Sequence, residues 1–430
     1  MSLSKRIFAN LGLALFGVLL ALALGEVALR VSGFAGPDLY NYDYWRGWGL
    51  RAGAAGWQRS EGDAFVAVNR YGFRGPAITP ATPPGVYRIA VLGDSFTEAQ
   101  QVNYDQSFCA VMQRRLGKCP AMKGRKVQVL DFGVDGYGTA QEYLTLKHYV
   151  WKFSPDAVLL AIFTGNDIRN NSVTLEGDKC RPFYVYRGGK LVLGGPFDDS
   201  AMFRLNCMAR FESRRSAVLD LVGSLHGYIM DLRRRLHPKP IPRHTVRTER
   251  GLDYTIYSAP ADRTWRNAWA VTEAEIELIH QSVVRHEAQF FAVTLANPMQ
   301  DLPEPAIRAR YMRQLGVSNL FYPDLRIKAL GQRDDFPVLN LAPPMQKYAD
   351  SHHAFLHGFP NTKPGEGHWN AEGHRVAGRL IAAWMCQYLA DRQPRGGAPA
   401  ADSAKPARSN RDCQHQRRDL EFNCDSPDCS

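Results

Sequence analysis

Residues Val86–Glu98 read VYRIAVLGDSFTE and contain the signal that decides the fold. Tyr87–Leu92 is an apolar run, rich in β-branched residues, with the length of a buried strand. A glycine ends that run, and Asp94 or Ser95 then caps the helix that follows. A serine at this junction lies at the carboxyl end of a strand, where open α/β sheets bind ligands, and at the positive end of a helix dipole. The alternative interpretation is an ordinary strand-to-helix turn, since Gly, Asp and Ser all favour turns.

The same unit of strand, loop and helix recurs twice after this stretch. Val127–Phe132 is strand-like and leads into the glycine-rich loop 133–138. Asp156–Phe163 is a third strand-like run and ends in Thr-Gly-Asn-Asp at 164–167. Two further strand-like runs follow later, Phe290–Ala296 and Val338–Leu341. The repetition predicts an α/β fold with a parallel sheet and helices on both faces, in three α/β/α layers.

An apolar stretch near the N-terminus predicts a membrane anchor. Ile7–Gly25 is uncharged and apolar except for Asn10, and it is just long enough to span a bilayer as a helix. Lys5 and Arg6 precede it, so we expect the N-terminus to stay in the cytoplasm and the remainder to be exported to the periplasm or cell exterior. A signal peptide cleaved near residues 21–23 is the alternative.

Composition divides the chain into predicted segments. They are an anchor at 1–34, an N-terminal extension at 35–84 laid against the domain, a main domain at 85–391 and a disordered tail at 392–430. The main domain contains an insertion at about 170–272, which includes a hairpin with Gly188-Gly189 at its turn. A basic run at 233–250 is interpreted as a solvated loop, with contact to an acidic polymer or anionic headgroups as the alternative. We expect a disulfide between Cys180 and Cys207 if the compartment is oxidising, with Cys109–Cys119 as a second candidate.

Overall composition is that of a globular protein, with 45% hydrophobic and 22% charged residues. The formal net charge of +11 favours acidic partners, and the excess is concentrated at the two ends and in the insertion. No DNA- or RNA-binding signature accompanies it, so a nucleic-acid partner is disfavoured. The eight cysteines have no zinc-site spacing.

The predicted loops at the carboxyl ends of the strands contain the residues that acyl transfer needs. Ser95 is the candidate nucleophile, and His368, which precedes the last predicted helix, is the candidate base. Glu366 is the nearest carboxylate that could orient this imidazole. The backbone N–H groups of Ser95 and Gly136 and the side-chain amide of Asn166 could bind an oxyanion.

These blocks resemble the SGNH (GDSL-type) hydrolase superfamily. The resemblance rests on Gly-Asp-Ser at 93–95, the glycine loop after the second strand, Gly-Asn-Asp at 165–167 and the late His368. It implies a flavodoxin-like α/β/α fold, Ser95 as nucleophile, His368 as base and an oxyanion hole of Ser95, Gly136 and Asn166, with Gly133 as a lesser alternative to Gly136.

Two positions depart from the family pattern. Residue 96 is Phe rather than the usual Leu, at a position that we expect to pack. The family's acid lies three residues before the histidine, where this chain has Gly365, and Glu366 lies only two before it. The longer Glu366 side chain could restore the reach, or a Ser-His dyad could operate with a backbone carbonyl orienting His368.

Other polar and aromatic residues have lesser expected roles. Asp94 and Asp167 should brace the nucleophile and Asn166 loops, and Tyr137 and Trp369 could either stack on a sugar or pack in the core. We expect no cofactor and no metal. Four histidines near the C-terminal end of the predicted domain are interpreted as parts of a polar loop, His352, His353 and His357, and of the last helix, His374.

The sequence therefore predicts a serine ester hydrolase tethered to the inner membrane and acting on an acylated small molecule or glycan. The substrate expected from export, tethering and basic charge is an acetylated cell-envelope or exported polysaccharide. Two alternatives remain at this point: an O-acetyltransferase with the same residues, and a catalytically silent glycan-binding or assembly protein.

Overall fold

Five parallel strands form the central sheet of the computed structural model. They lie side by side in the order Lys126–Asp131, Val86–Leu92, Ala157–Ile162, Gln289–Thr294 and Val338–Asn340. In chain order this arrangement is 2-1-3-4-5, the flavodoxin-like order. The predicted α/β fold with a parallel sheet is confirmed. The structure describes residues 3–32, 38–213, 216–219, 221–223, 225, 229 and 252–392.

Helices cover both faces of the sheet. Successive residues of each strand point to opposite faces, so each strand contributes side chains to two cores. Ile89 and Val91 belong to a core shared with Phe108 and with the last helix. Ala90 and Leu92 belong to the opposite core, shared with Trp269. All six residues of the Ala157–Ile162 strand are buried, as expected for the central strand of such a sheet.

The described helices fall into a longer group and a shorter group. The longer helices are Leu3–Val31, Phe108–Leu116, Ala201–Ser213, Arg263–Arg285, Pro305–Leu315, Tyr322–Arg333, Ala342–His352 and Ala371–Asp391. The shorter helices are Ser95–Glu98, Thr139–Thr145, Asp167–Asn170, Pro196–Asp199 and Pro298–Asp301.

The N-terminal extension forms two small antiparallel hairpins. One pairs Tyr40–Asp43 with Gly47–Leu50, and the other pairs Ala55–Gln58 with Ala64–Ala67. Their buried side chains share a core with Val134 and Tyr137 of the glycine loop: Leu39, Trp48, Leu50, Ala54, Val66 and Val68. The extension therefore packs directly onto a loop at the carboxyl edge of the sheet.

The insertion begins with the predicted hairpin, in which Phe183–Arg187 pairs with Lys190–Gly194. A helix follows at Arg263–Arg285, so it begins within the stretch assigned to the insertion. The Asp262 side chain caps it by accepting from Trp265 N–H at 2.9 Å. The basic run 233–250 and the tail from 393 onward lie outside the described residues.

Two disulfides connect distant parts of the described chain. Cys180 pairs with Cys207, as predicted, and Cys119 pairs with Cys386. The predicted Cys109–Cys119 pair is wrong, because Cys109 points into the core from the Phe108–Leu116 helix and is a free, buried thiol. The Cys119–Cys386 bond instead ties the segment after the Phe108–Leu116 helix to the last helix.

The N-terminal helix contains a candidate membrane span. Residues Ile7–Val31 have a mean hydropathy of 2.4 in their most apolar window, and none of that window is buried inside the protein. The helix is long and apolar enough to cross a membrane, and a signal sequence would share these properties.

Candidate active site

Ser95 lies at the junction that the sequence predicts, directly after the first sheet strand and at the first turn of a short helix. Asp94 caps that helix, and its carboxylate accepts from Phe96 N–H at 3.0 Å. Ser95 is only 4% exposed. Its own N–H donates to no acceptor in the described part of the chain.

Three strand-end loops meet around Ser95. Val134 N–H donates to the Gly93 carbonyl at 3.2 Å, which joins the glycine loop to the nucleophile loop. Phe96 stacks on Phe163 with ring centroids 4.0 Å apart, which joins the nucleophile loop to the end of the Ala157–Ile162 strand. Phe96 therefore packs, as we expected for the residue that replaces the family's leucine.

His368 reaches Ser95 from the loop that precedes the last helix. Its Nε2 lies 2.8 Å from the Ser95 hydroxyl oxygen. The loop is anchored by buried His357, whose Nδ1 donates to the Gly367 carbonyl at 2.8 Å and whose Nε2 lies 3.3 Å from Asp301. The structure therefore brings together the two residues predicted as nucleophile and base, although they are 273 positions apart.

The carboxylate that contacts His368 comes from the N-terminal extension. Glu61 Oε2 lies 2.6 Å from His368 Nδ1, and Glu61 Oε1 accepts from His368 N–H at 2.7 Å. These two contacts fix the orientation of the His368 ring and the position of its backbone. Since Glu61 accepts at Nδ1, that nitrogen carries the proton and Nε2 is free to accept from Ser95.

Contacts on both sides of Glu61 hold its loop in position. Gly62 N–H donates to the Asn361 side chain at 3.0 Å, and the Asn361 amide donates to the carbonyls of Arg59 and Gly62, each at 2.9 Å. Gly62 has a φ of +76°, and a Cβ there would lie 2.2 Å from the Gln101 carbonyl oxygen. Only glycine fits this turn, because the Gly62 backbone lies directly against the segment that contains Gln101. The loop is therefore held between that segment and the segment that contains Asn361.

Glu366 is not near the His368 ring, contrary to the sequence prediction. Its carboxylate forms an ion pair with Lys363, and its side chain is 46% exposed. The position of Glu61 beside His368 has a steric reason. Gly367 leaves the space beside His368 open, and a Cβ at that position would lie 2.0 Å from Glu61 Oε1, so the carboxylate of Glu61 occupies the site that Glu366 was expected to fill.

Sequence reasoning missed Glu61 because nothing local identifies it. The residue lies in a five-residue hairpin loop, 307 positions before the histidine that it contacts. The available signal was indirect: a departure from the family pattern at Gly365, which leaves the acid unassigned.

The pKa values of this pair are shifted in opposite directions. Burial acts to lower the pKa of His368, but the hydrogen bond and charge of Glu61 outweigh it and raise that pKa above its ordinary value. Burial acts to raise the pKa of Glu61, but the hydrogen bond and charge of His368 lower it. The Glu61 carboxylate thus stabilises an imidazolium at position 368.

Two buried carboxyls brace the neighbouring loops. Asp167 accepts from Phe163 N–H at 2.8 Å, which closes the turn that carries Asn166. Burial raises the pKa of Asp94 to about 7, although the Phe96 N–H and the nearby His368 act to lower it. Burial also raises the pKa of Asp167 well above its usual range, with Asp94 adding to the shift.

The candidate oxyanion donors lie on the same sheet edge as Ser95. Asn166 lies at the N-cap position of the helix Asp167–Asn170 without a side-chain capping hydrogen bond, and its Oδ1 is buried with no partner in the described part of the chain. Gly136 lies in the glycine loop, and its N–H interacts with the Asp135 carboxylate and acts to lower the pKa of Asp135, which burial raises. Gly133 N–H donates to the Asp131 carboxylate at 3.0 Å.

The remaining candidates belong to the core or the surface. Trp369 and Tyr137 are fully buried and are unavailable for stacking on a sugar. His374 is buried, its Nδ1 accepts from Phe108 N–H at 3.3 Å, and burial lowers its pKa to about 3.

Among the residues that the structure describes, no group of three His, Cys, Asp or Glu side chains could hold a metal ion. His352 and His353 are exposed.

Comparisons with known proteins gave matches only among solved structures. No protein-family model and no curated protein matches the chain. A structure of an acetyl xylan esterase is 13% identical, with 69% of this chain and 98% of that chain covered and a TM-score of 0.34. A two-domain esterase active on acetylated mannans is 9% identical, with coverage of 73% and 52% and a TM-score of 0.37.

A third similar structure is a GDSL-like lipase from Bacteroides thetaiotaomicron, 11% identical, with 74% of this chain and 93% of that chain covered and a TM-score of 0.31. The first two proteins are named as esterases and the third as a lipase.

Proposed function

We propose that this protein is a membrane-anchored serine esterase that cleaves acyl, above all acetyl, esters through an acyl-enzyme on Ser95. The single observation that supports this most is the continuous chain of short contacts from the Ser95 hydroxyl to His368 Nε2 at 2.8 Å and from His368 Nδ1 to Glu61 at 2.6 Å. A serine hydroxyl is a weak nucleophile until a positioned base removes its proton, and this arrangement provides that base.

In the first half of the reaction the Ser95 oxygen attacks the ester carbonyl carbon while its proton passes to His368 Nε2. The resulting imidazolium is stabilised by Glu61, whose charge already raises the pKa of His368. The carbonyl oxygen becomes an oxyanion, for which the Ser95 N–H, the Gly136 N–H and the Asn166 amide are the proposed donors. The intermediate collapses when His368 returns the proton to the leaving alcohol oxygen.

In the second half a water molecule loses its proton to His368 and attacks the acyl-enzyme carbonyl. Collapse of the second tetrahedral intermediate releases the carboxylic acid and returns the proton to Ser95. If a sugar hydroxyl replaces water in this step, the same residues transfer the acyl group, and the protein is then an O-acetyltransferase.

The substrate class follows from the sequence-level arguments. An exported and tethered enzyme is located where envelope and exported polysaccharides are its most accessible acylated substrates. Its formal net charge of +11 also favours acidic partners. We therefore assign the substrate as an acetylated glycan, with the catalytic domain in the periplasm or outside the cell.

The test uses the full chain in detergent micelles. Wild type should release nitrophenol from 4-nitrophenyl acetate and free acetate from an acetylated glycan, and a fluorophosphonate should add one equivalent of mass, on the peptide that contains Ser95. The Ser95→Ala variant should lose label and turnover together. Acetate recovered on added sugar rather than in solution would identify a transferase. A folded wild type with no label and no turnover would favour the silent glycan-binding protein instead.

A further inference from the structure

Arg181 is a buried arginine that the proposed reaction does not use. It follows Cys180 of the Cys180–Cys207 disulfide and is only 5% exposed. Its backbone is held by a close approach from the first hairpin, because a Cβ on Gly47 would lie 2.2 Å from the Cys180 carbonyl oxygen and 3.3 Å from Arg181 Cα. The disulfide and this contact fix the start of the side chain.

The guanidinium of Arg181 lies beside the candidate oxyanion loop. Its central carbon is 4.9 Å from the centre of the Trp48 ring, and Trp48 Nε1 donates to the Asp135 carbonyl at 3.1 Å. Arg181 Nη2 is 4.0 Å from the position that a Cβ on Gly136 would occupy. The guanidinium therefore lies next to the backbone of Gly136, whose N–H is one of the proposed oxyanion donors.

Arg181 differs from another buried arginine in having unused donors. Within the described residues, its Nε and Nη1 are buried and have no hydrogen-bond partner. Arg88, in contrast, donates to the Gln128 side chain and to the carbonyls of Pro80 and Phe153.

Other carboxylates attract Arg181 only from a distance or are already engaged. Asp178 forms an ion pair with Arg210 at 3.2 Å, and Glu176 lies 3.9 Å from Arg169. Asp135 also attracts the guanidinium, but burial dominates and lowers the pKa of Arg181. A buried guanidinium without a close partner is costly, and a bound anion would remove that cost.

We infer that Arg181 binds a carboxylate carried by the substrate next to the scissile ester, so that the preferred substrate is an acetylated acidic sugar. The planar guanidinium suits a carboxylate because it can donate two parallel hydrogen bonds to it. The inference deepens the proposed function and rests on it for the position of the ester. Arg181 is in this role a specificity residue, and it takes no part in the proton transfers.

The experiment compares two esters that differ only in the carboxylate. They are the mono-O-acetylated methyl glucuronoside and the methyl glucoside acetylated at the same hydroxyl. The full-length wild type should hydrolyse the uronoside with a kcat/KM on the order of tenfold or more above that of the glucoside. Arg181→Gln should abolish this preference while it leaves turnover of 4-nitrophenyl acetate within about threefold.

Arg181→Lys is the second variant, for use if the glutamine variant does not fold. Lysine keeps the positive charge but cannot donate two parallel hydrogen bonds to a carboxylate, so this variant should retain only part of the preference for the uronoside. Equal kcat/KM for the two sugars in wild type would overturn the inference. So would an equal loss on neutral and acidic esters in Arg181→Gln, because that result would make Arg181 an oxyanion contact.

Binding to the Ser95→Ala variant separates this inference from the proposed function. Calorimetry with the acetylated uronoside and glucoside needs no turnover, so it tests Arg181 even if wild type hydrolyses neither ester. Tighter binding of the uronoside, lost when Arg181→Gln is added, supports the inference. Equal binding of the two sugars contradicts it.

Discussion

The nucleophile loop and the Glu61 loop meet at one site but are built in opposite ways. The nucleophile loop is a direct continuation of a buried sheet strand, and a side chain only one residue away caps the helix that carries Ser95. The Glu61 loop belongs to a small hairpin outside the central sheet, and contacts between Asn361 and Gly62 hold it where Glu61 meets His368. The comparison teaches that a strand end can define a nucleophile locally, whereas its acid can come from any segment that packs against the histidine.

Removal of the nucleophile should have the largest effect. Ser95→Ala should lower kcat/KM for 4-nitrophenyl acetate by about 10⁴-fold or more, because no other group can form the acyl-enzyme. Ser60→Ala is a suitable control, since Ser60 is an exposed serine on the Glu61 loop; it should stay within about twofold of wild type. Steady-state kinetics measures both, and residual activity of Ser95→Ala near wild type would contradict the assignment.

The second largest effect should distinguish the two glutamates. Glu61→Gln should lower kcat by about a hundred- to a thousandfold, because the amide cannot stabilise the imidazolium and can reverse the tautomer of His368. Glu366→Gln is the matched control and should change kcat less than about twofold, since Glu366 pairs only with Lys363 on the surface. The opposite ranking of the two variants would restore Glu366 as the acid.

A smaller loss should follow when the Glu61 loop is moved without touching Glu61. Gly62→Ala should lower kcat about tenfold and also lower Tm, because the new Cβ would overlap the Gln101 carbonyl. Gly53→Ala is the matched control, since Gly53 has a similar φ of +75° with nothing within 4 Å of the new Cβ. It should lose about 1 kcal/mol of stability and keep its kcat. Equal kcat in the two variants would show that the loop does not position Glu61.

The smallest expected change is a shift of the pH profile. Activity needs neutral His368, so kcat/KM should fall as the pH decreases through a His368 pKa that Glu61, Asp135 and Asp94 raise above its ordinary value. In Glu61→Gln the largest of these raising contributions is gone while burial still lowers the pKa. The acid limb should therefore move to lower pH, below its position in wild type. A limb that stays in place would mean that Glu61 does not act on the imidazole.

Much of the fold and two of the three contacting residues could be predicted from the sequence. The five apolar runs became the five sheet strands, with ends that differ by at most two residues, because β-branched runs bounded by glycine and polar residues are locally distinctive. Ser95 and His368 were predictable because each lies in a short motif at a strand end or before a helix. The Cys119–Cys386 disulfide was not, since its cysteines are 267 residues apart and any pairing was compatible with the sequence.

By itself the sequence determined the parallel sheet, the apolar N-terminal helix, the serine at the strand end and the late histidine, because each depends on residues that are neighbours in the chain. Only the tertiary structure decided which carboxylate contacts His368 and which guanidinium lies beside Gly136. Glu61 and Arg181 reach these positions through hairpin packing and a disulfide, and such contacts depend on distances in space that neighbouring residues do not encode.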